Sequence, residues 1–236
     1  MIEAILFDLD DTLYPEIDYV RSGFRVVAEI LADRGFGPPA ETVALMEYCH
    51  WHVDRDRVFQ YVAKNLGFPE AWIPELVRIY RRHDPTLHLP TETQRALASL
   101  CHHFRLGIVT DGHREVQWRK IRALGVHRMV DVIVTSDDFG RRFWKPDSLP
   151  FLTACRGLNV PSEKVIFVGD HPIRDIRGAA QLGMTTVRIY RPDGYFRQRP
   201  HALGYPPDRE IADLTELRTW LIPKDCAELP ICEAVT

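Results

Sequence analysis

Short apolar runs that end abruptly in acidic or small polar residues recur along the chain. The first spans residues 4–7 and is followed by three acids within four residues, Asp8, Asp10 and Asp11. Apolar runs of this length, bounded by polar residues, are typical of buried strands in a parallel sheet. We therefore expect the acids at the carboxyl end of a strand, where open α/β sheets bind their ligands.

Further runs of the same kind lie beyond residue 100 and alternate with helical stretches, a pattern that predicts an α/β fold. The segment 191–207 is rich in Arg, Gly and Pro and is predicted to be a long irregular loop. The predicted strands cover residues 106–109, 132–135, 165–168, 185–190 and, as a short edge strand, 210–214.

Residues 14–90 carry a different pattern, because their apolar positions follow helical spacing and no strand signal appears. The pattern predicts an all-helical unit inserted after the first strand. Three amphipathic stripes define it: Phe24, Val27, Ala28 and Leu31; Val58, Tyr61 and Val62; and Ile73, Leu76, Val77 and Tyr80.

This helical unit also contains a cluster of charged and aromatic residues between positions 48 and 55. His50 and Arg55 in this cluster are candidates for substrate contacts. A solvated helix face with a few aromatic residues in the core would explain the same pattern.

Composition narrows the possible functions. The 236 residues are 45% hydrophobic and 27% charged, which are the values of an ordinary globular protein. A net charge of −3 offers no basic surface for nucleic acid or membranes, so the expected partner is a small molecule. The sequence shows no secretion signal, no membrane-spanning run and no paired motif among its five cysteines. We expect a cytoplasmic protein with reduced thiols, and the oligomeric state is unknown.

Acids at two of the strand ends suggest a cation site. Asp8 and Asp10 repel each other unless a cation or a proton offsets their charges. Asp170 follows the strand at 165–168, and Asp175 stands five residues later, where a helix begins. Carboxylate oxygens are suited to a hard divalent cation. The first acids alone are also compatible with the capping of a helix.

Two other strand ends carry residues with both a functional and a structural interpretation. Thr110, Asp111 and Gly112 follow the strand at 106–109 and could hold phosphate oxygens or simply cap the next helix. Lys145 precedes a proline and therefore stands at a helix boundary. Its ammonium could point over the strand ends or into solvent.

Four motifs, each at a predicted strand end, resemble those of the haloacid dehalogenase superfamily. They are Asp-x-Asp-x-Thr at 8–12, the apolar strand that closes in Thr110, Lys-Pro at 145–146, and Gly-Asp-x4-Asp at 169–175. The resemblance covers residues 4–13 and about 104–221, and the helical insertion matches in position and character only. It implies a doubly wound, Rossmann-like parallel sheet with a small all-helical cap domain over the active site.

The resemblance also implies domain boundaries. The α/β core domain would comprise residues 1–13 and 91–223, and the helical cap domain residues 14–90. Residues 224–236 would form a C-terminal tail, which we expect to be poorly ordered.

Catalytic roles follow from the same resemblance. Asp8 would be the nucleophile that takes the phosphoryl group as an aspartyl phosphate. Asp10 would protonate the leaving oxygen and later deprotonate the attacking water, which requires Asp10 to be the more easily protonated of the two acids. Thr110 and Lys145 would hold the phosphoryl oxygens.

The resemblance also implies two further sets of ligands. Mg²⁺ is the implied cofactor, because the ligands are oxygens and the substrate is a phosphate. Its ligands would be Asp8, Asp10 through its carbonyl, Asp170 and Asp175. The implied substrate-binding residues are Thr12, Asp111 and Gly112, to which His50 and Arg55 of the helical unit are added as the candidates named above.

The implied function is a Mg²⁺-dependent phosphatase that hydrolyses a small phosphorylated metabolite such as a sugar phosphate or a nucleotide. Three alternatives stay open: a phosphosugar mutase, a 2-haloacid dehalogenase of the same superfamily, and a non-enzymatic regulator. Asp10 counts against the dehalogenase, which typically lacks the second acid. No catalytic position is visibly lost, which counts against the regulator. Activity without net phosphate release would indicate the mutase.

Overall fold

The computed structural model describes residues 1–222, which form two compact units. One unit consists of Met1–Glu16 together with residues 88–222, and the other is Ile17–Leu87. The predicted tail at 224–236 lies outside the described residues. Among residues 1–222, no helix combines the length and the apolar character that crossing a membrane requires.

The first unit is built on a six-stranded parallel sheet with the strand order β3-β2-β1-β4-β5-β6. The predicted α/β fold class is therefore confirmed. The strands are β1 (Ala4–Phe7), β2 (Arg105–Thr110), β3 (Val132–Thr135), β4 (Val165–Gly169), β5 (Thr185–Ile189) and β6 (Arg209–Ile211).

Helices connect these strands. The edge strand β6 is shorter than the predicted 210–214, because Asp213 instead caps the last helix, and its carboxylate accepts the Thr215 amide at 2.7 Å. The helices of this unit are α5 (Thr91–Leu100), α6 (Arg114–Leu124), α7 (Ser148–Leu158), a π-helical turn (Pro172–Arg177), α8 (Gly178–Ala180) and α9 (Leu214–Leu221).

Strand β1 lies at the centre of the sheet, between β2 and β4. Phe7 is in register with Ile108 on β2 and with Val168 on β4. All four residues of β1 are fully buried, as expected for a strand that is covered on both faces. The carboxyl ends of β1, β2 and β4 therefore meet at one edge of the sheet.

The second unit is all-helical, as predicted. The three predicted stripes lie on α1 (Glu16–Asp33), α3 (Val58–Leu66) and α4 (Ile73–Arg82), and they pack into one apolar core. A further helix, α2 (Pro39–His52), buries Thr42, Met46 and Cys49. Its stripe is short and begins with a polar residue, which is why the apolar pattern did not single it out.

Candidate active site

Side chains from four separate segments of the sheet unit meet at the carboxyl end of β1. Asp8 directly follows β1, Thr110 ends β2, and Asp170 directly follows β4. Lys145 comes from the segment between β3 and α7, and its side chain is buried. The sheet therefore brings together residues that are up to 162 positions apart in the sequence.

Three carboxylates form a compact cluster at this edge. Within residues 1–222, Asp8, Asp170 and Asp175 each offer an oxygen, and these oxygens all lie within 4.8 Å of one another. Burial and the neighbouring acids raise the pKa of Asp8 to about 7, although Lys145 opposes the shift. Burial, Asp175 and Asp8 raise the pKa of Asp170 well above its usual value. The cluster thus carries more negative charge than its surroundings compensate.

Lys145 is the cation that faces this cluster. Its Nζ lies 2.5 Å from Asp8 Oδ1 and 2.7 Å from Asp175 Oδ1, and it also donates to the Val109 carbonyl at 3.0 Å. Burial alone would lower the pKa of Lys145, but Asp175 and Asp8 outweigh it and the net shift is upward. Lys145 therefore stays charged, and it links Asp8 to the Val109 carbonyl of β2.

The position of Asp175 depends on the tight turn after β4. Asp175 Oδ2 accepts the backbone N–H of His171 at 3.0 Å. A Cβ on Gly169 would lie 2.6 Å from atoms of the Asp175 side chain, so only glycine fits there. His171 caps the π-helical turn, since its Nδ1 accepts the N–H groups of Ile173 and Arg174 at 3.1 Å each.

Asp10 is held by a different set of partners, in the first unit, and its carboxylate is not a member of the three-acid cluster. Lys120 Nζ donates to both of its oxygens, at 2.8 and 2.9 Å. Gln117 Nε2 donates to Oδ2 at 2.9 Å, and the Tyr14 hydroxyl donates to Oδ1 at 2.6 Å. The two acids of the first motif therefore face different surroundings.

These surroundings reverse the expected order of protonation. Burial alone would raise the pKa of Asp10, but the Lys120 charge and the hydrogen bonds from Lys120, Tyr14 and Gln117 lower it below its usual value. The pKa of Asp8 is raised instead. The expectation that Asp10 is the more easily protonated acid is thus wrong for the protein without ligands. Lys120, Tyr14 and Gln117 favour the ionised form of Asp10, whereas at Asp8 burial and the other acids outweigh Lys145.

The remaining sheet-unit candidates lie at or shortly after the ends of β1 and β2. The Thr12 hydroxyl lies 3.5 Å from Asp8 Oδ2, and the Thr110 hydroxyl accepts the Gln117 side-chain amide at 2.6 Å. Asp111 Oδ1 accepts the backbone N–H of Lys145 at 3.1 Å. Gly112 has a φ of 125°, and a Cβ there would lie 3.0 Å from Gln117 Cδ.

His50 and Arg55 belong to the helical unit. His50 is half-buried at the end of α2, where its ring lies 5.9 Å from that of Phe24, and burial lowers its pKa to about 4. Arg55 follows α2 and is exposed. Their contribution to substrate binding stays a prediction.

Sequence reasoning assigned no role to Tyr14, Gln117 and Lys120, the three side chains that hold Asp10. Gln117 and Lys120 stand three residues apart on α6, so they share one helix face, and both are buried. A glutamine and a lysine three residues apart on the helix that follows β2 are visible in the sequence, but their burial is visible only in the structure. Tyr14 gives no comparable signal, because a tyrosine after a strand usually packs in the core.

Comparisons with known proteins show which proteins this chain resembles. Residues 5–189 match the family model described as haloacid dehalogenase-like hydrolase. The glyceraldehyde 3-phosphate phosphatase of Methanopyrus kandleri is 32% identical over 229 residues, which cover 92% of this chain and 96% of that protein. The pyrophosphatase PpaX of Halalkalibacterium halodurans is 27% identical, covering 92% and 95%.

Solved structures agree with these relatives. A HAD phosphatase from Thermococcus onnurineus has a TM-score of 0.60 and 26% identity, covering 93% of this chain and 98% of that one. A 2-haloacid dehalogenase from Pseudomonas syringae pv. Tomato DC3000 also has a TM-score of 0.60, with 28% identity and coverages of 92% and 96%. This chain thus shares its fold with a HAD phosphatase and with a 2-haloacid dehalogenase.

Proposed function

Because the chain belongs to the haloacid dehalogenase-like hydrolase family, we propose that it is a phosphatase acting on a small phosphorylated metabolite. One observation carries the proposal. Two acids two residues apart, Asp8 and Asp10, face different partners: Asp8 lies with Lys145 and the other cluster acids, and Asp10 lies with Lys120. One acid can therefore act as a nucleophile while the other transfers protons.

The cluster of Asp8, Asp170 and Asp175 fits a divalent cation. Its donors are carboxylate oxygens, which suit Mg²⁺, and their spacing of at most 4.8 Å allows a shared ion. The raised pKa of Asp8 is what acids without sufficient positive charge would give. When bound, Mg²⁺ would offset the charge of the acids and of the phosphoryl oxygens. The Asp10 carboxylate contacts Lys120 and is not a member of this cluster. Asp10 would therefore contribute only its carbonyl to the cation.

In this proposal an Asp8 oxygen attacks phosphorus while the bond to the leaving oxygen breaks, and Asp10 gives that oxygen a proton. A water molecule then attacks the aspartyl phosphate, Asp10 takes its proton, and the bond between Asp8 and phosphorus breaks to release inorganic phosphate. Lys145 and Thr110 hold the phosphoryl oxygens during both steps, and Thr12 orients Asp8 through its hydroxyl.

The proposal requires substrate and cation to restore the order of protonation. A phosphate dianion beside Asp10 adds negative charge and so raises the pKa of that carboxyl group. A cation against Asp8 lowers the pKa of the nucleophile in the same way. With both bound, Asp10 becomes the acid that holds the proton.

The first test is phosphate release from p-nitrophenyl phosphate with Mg²⁺ and with excess chelator. We expect hydrolysis only with Mg²⁺, because Lys145 alone cannot balance the acids. Asp170→Asn should abolish the activation by Mg²⁺, whereas Glu163→Gln, at an exposed position, should keep it. Full turnover of a metal-free preparation would refute the assignment of Asp170. Stoichiometric phosphate release from an ester also separates a phosphatase from a mutase and from a non-enzymatic regulator.

A second prediction concerns pH and stability. The pKa of Asp8 rises from 3.8 to about 7 on folding, so between these values the folded protein keeps a proton that the unfolded chain has lost. The stability of the metal-free protein therefore falls as the pH rises through this window. Mg²⁺ binds the ionised acids and offsets this loss. We expect Mg²⁺ to raise the melting temperature more at pH 8 than at pH 5.

Circular dichroism melts at both pH values, with Mg²⁺ and with chelator, would measure this difference. Glu163→Gln serves again as the control and should behave like the unmodified protein. An equal shift of the melting temperature at pH 5 and pH 8 would argue that Mg²⁺ binds elsewhere.

A further inference from the structure

The loop 191–201 is irregular but firmly attached to the sheet unit. Arg188 on β5 is 1% exposed, and its Nη2 donates to the carbonyls of Phe196 at 2.7 Å and Arg199 at 2.8 Å. The backbone N–H of Tyr195 donates to Asp11 Oδ2 at 3.0 Å, one residue after Asp10. The loop is therefore fixed beside the residues of the first motif.

Two guanidinium groups lie over the Phe196 ring of this loop. Arg174 Cζ lies 5.5 Å from the centre of the Phe196 ring, and Arg199 Cζ lies 5.6 Å from it. The His171 ring packs on Phe196 at 4.2 Å, and burial and Arg174 lower the pKa of His171 to about 4, so this histidine is neutral. We call Arg174, Phe196 and Arg199 the arginine–phenylalanine cluster. It carries two positive charges on one aromatic support.

Arg174 is close to the active site, but its guanidinium N–H groups form no hydrogen bond within residues 1–222. Its Nη1 lies 4.0 Å from Asp111 Oδ2, which is too far for a hydrogen bond. Within the described part of the chain, the Arg174 side chain donates no hydrogen bond, and 39% of it is exposed. Asp111 binds the Lys145 backbone, and Lys145 binds Asp8. Asp111 therefore lies between Arg174 and Lys145, the lysine that would hold the transferred phosphoryl group.

We propose that the arginine–phenylalanine cluster binds a second anionic group of the substrate, so that preferred substrates are phosphate esters that carry a carboxylate or a further phosphate. This inference rests on the proposed phosphatase function. A guanidinium presents a planar set of donors that matches both kinds of anion, and stacking on Phe196 orients it before the substrate arrives. Lys145 and the cation bind the reacting phosphoryl group, and the arginine–phenylalanine cluster binds the second anionic group at the other end of the substrate.

A purely structural role for Arg174 would be to balance the charge of the acids. Burial would lower the pKa of Arg174, but the acids Asp175, Asp111, Asp8 and Asp170 outweigh it and raise this pKa, which agrees with a cation that faces them. Charge balance would affect every substrate to the same extent. Recognition of a second anion would affect only substrates that possess one, so a comparison of two substrates separates the two roles.

The test uses two esters of similar size, 3-phosphoglycerate with a carboxylate and glycerol 3-phosphate with a neutral alcohol. We expect kcat/KM to favour 3-phosphoglycerate in the unmodified protein. Arg174→Gln should reduce the ratio of the two kcat/KM values by about 10- to 100-fold, the range for a charge-assisted hydrogen bond. Arg174→Lys, which keeps the charge, should restore part of the ratio. Arg199→Gln should lower it as well.

Arg197→Gln is the matched control, because Arg197 is an exposed arginine of the same loop whose Nη1 donates to the Pro192 carbonyl at 2.9 Å. The ratio should not change in this variant. Inorganic pyrophosphate as a third substrate distinguishes a phosphate from a carboxylate as the preferred second anion.

An equal loss of activity on both esters in Arg174→Gln would overturn the inference and leave charge balance as the role of Arg174. A preference of the unmodified protein for glycerol 3-phosphate over both 3-phosphoglycerate and inorganic pyrophosphate would also overturn it, while hydrolysis of p-nitrophenyl phosphate would still uphold the phosphatase. Absence of Mg²⁺-dependent hydrolysis of every ester would instead refute the proposed function.

Discussion

Replacing Asp8 by asparagine is expected to reduce phosphate release to background, a loss on the order of 10⁶-fold, as for other removed nucleophiles. The amide is almost isosteric with the carboxylate but cannot form an acyl phosphate. The fold should survive, because Asp175 still pairs with Lys145 at 2.7 Å. The variant also removes one charge from a crowded cluster, so at pH 8 without metal it should melt at a higher temperature than the unmodified protein.

Rapid-quench labelling with a ³²P-labelled ester would detect the phosphoenzyme directly, and melts would verify folding. The unmodified protein should be labelled and Asp8→Asn should not. A label on the Asp8 variant would show that another residue is the nucleophile. Asp11→Asn is a useful comparison for labelling, because it removes an acid of the same segment whose oxygens accept backbone N–H groups of Glu16 and Tyr195.

Replacing Asp10 by asparagine is expected to slow the reaction by about 10²- to 10⁴-fold, the usual contribution of a general acid or base. The size of the loss should depend on the leaving group. An alkyl phosphate leaves as a poor alkoxide that needs a proton, whereas an aryl phosphate leaves as a stable anion. The first step should therefore slow more for glycerol 3-phosphate than for p-nitrophenyl phosphate.

The same variant should accumulate aspartyl phosphate, because Asp10 also activates the water that clears it. Rapid-quench kinetics with both substrates would measure formation and decay of the intermediate separately. Equal losses of phosphorylation rate for the two leaving groups would mean that Asp10 is not the proton donor. In that case Lys120, which contacts both Asp10 oxygens, would be the next residue to substitute.

The sheet was predictable because a buried parallel strand leaves a local trace in the sequence. Residues 4–7 and 165–169 are continuous apolar runs with a polar residue directly after them, and the structure places these ends side by side. Parallel neighbours then bring Asp8 and Asp170 together without any further information. The acid cluster follows from strand ends alone.

The partners of Asp10 were not predictable to the same degree, because they depend on contacts between distant segments. Lys120 lies 110 residues from Asp10 in the sequence, and a lysine on a helix is usually exposed. Its burial, at 3% exposure, results from the way α6 brings its Nζ to the Asp10 carboxylate, which follows β1. The protonation order of Asp8 and Asp10 depends on that packing, which explains why the motif alone suggested the opposite order.

The burial of Arg188 could not be predicted from the sequence either. In a strand with the sequence Thr-Thr-Val-Arg-Ile, alternation does not distinguish an arginine that faces solvent from one that is buried. Arg188 is buried because the carbonyls of the following loop and of Asp170 accept its hydrogen bonds. The loop was predicted to be irregular, and its attachment became visible only in three dimensions.

The attachment of this loop to Arg188 bears on how the family can be re-engineered. Exchanging the loop alone between relatives would leave the buried Nη2 group of Arg188 without acceptors, unless the new backbone presents carbonyls at the positions of Phe196 and Arg199. Arg188 and the loop therefore have to be exchanged together. Chimeras should be cut before β5, so that the arginine travels with the loop that it holds.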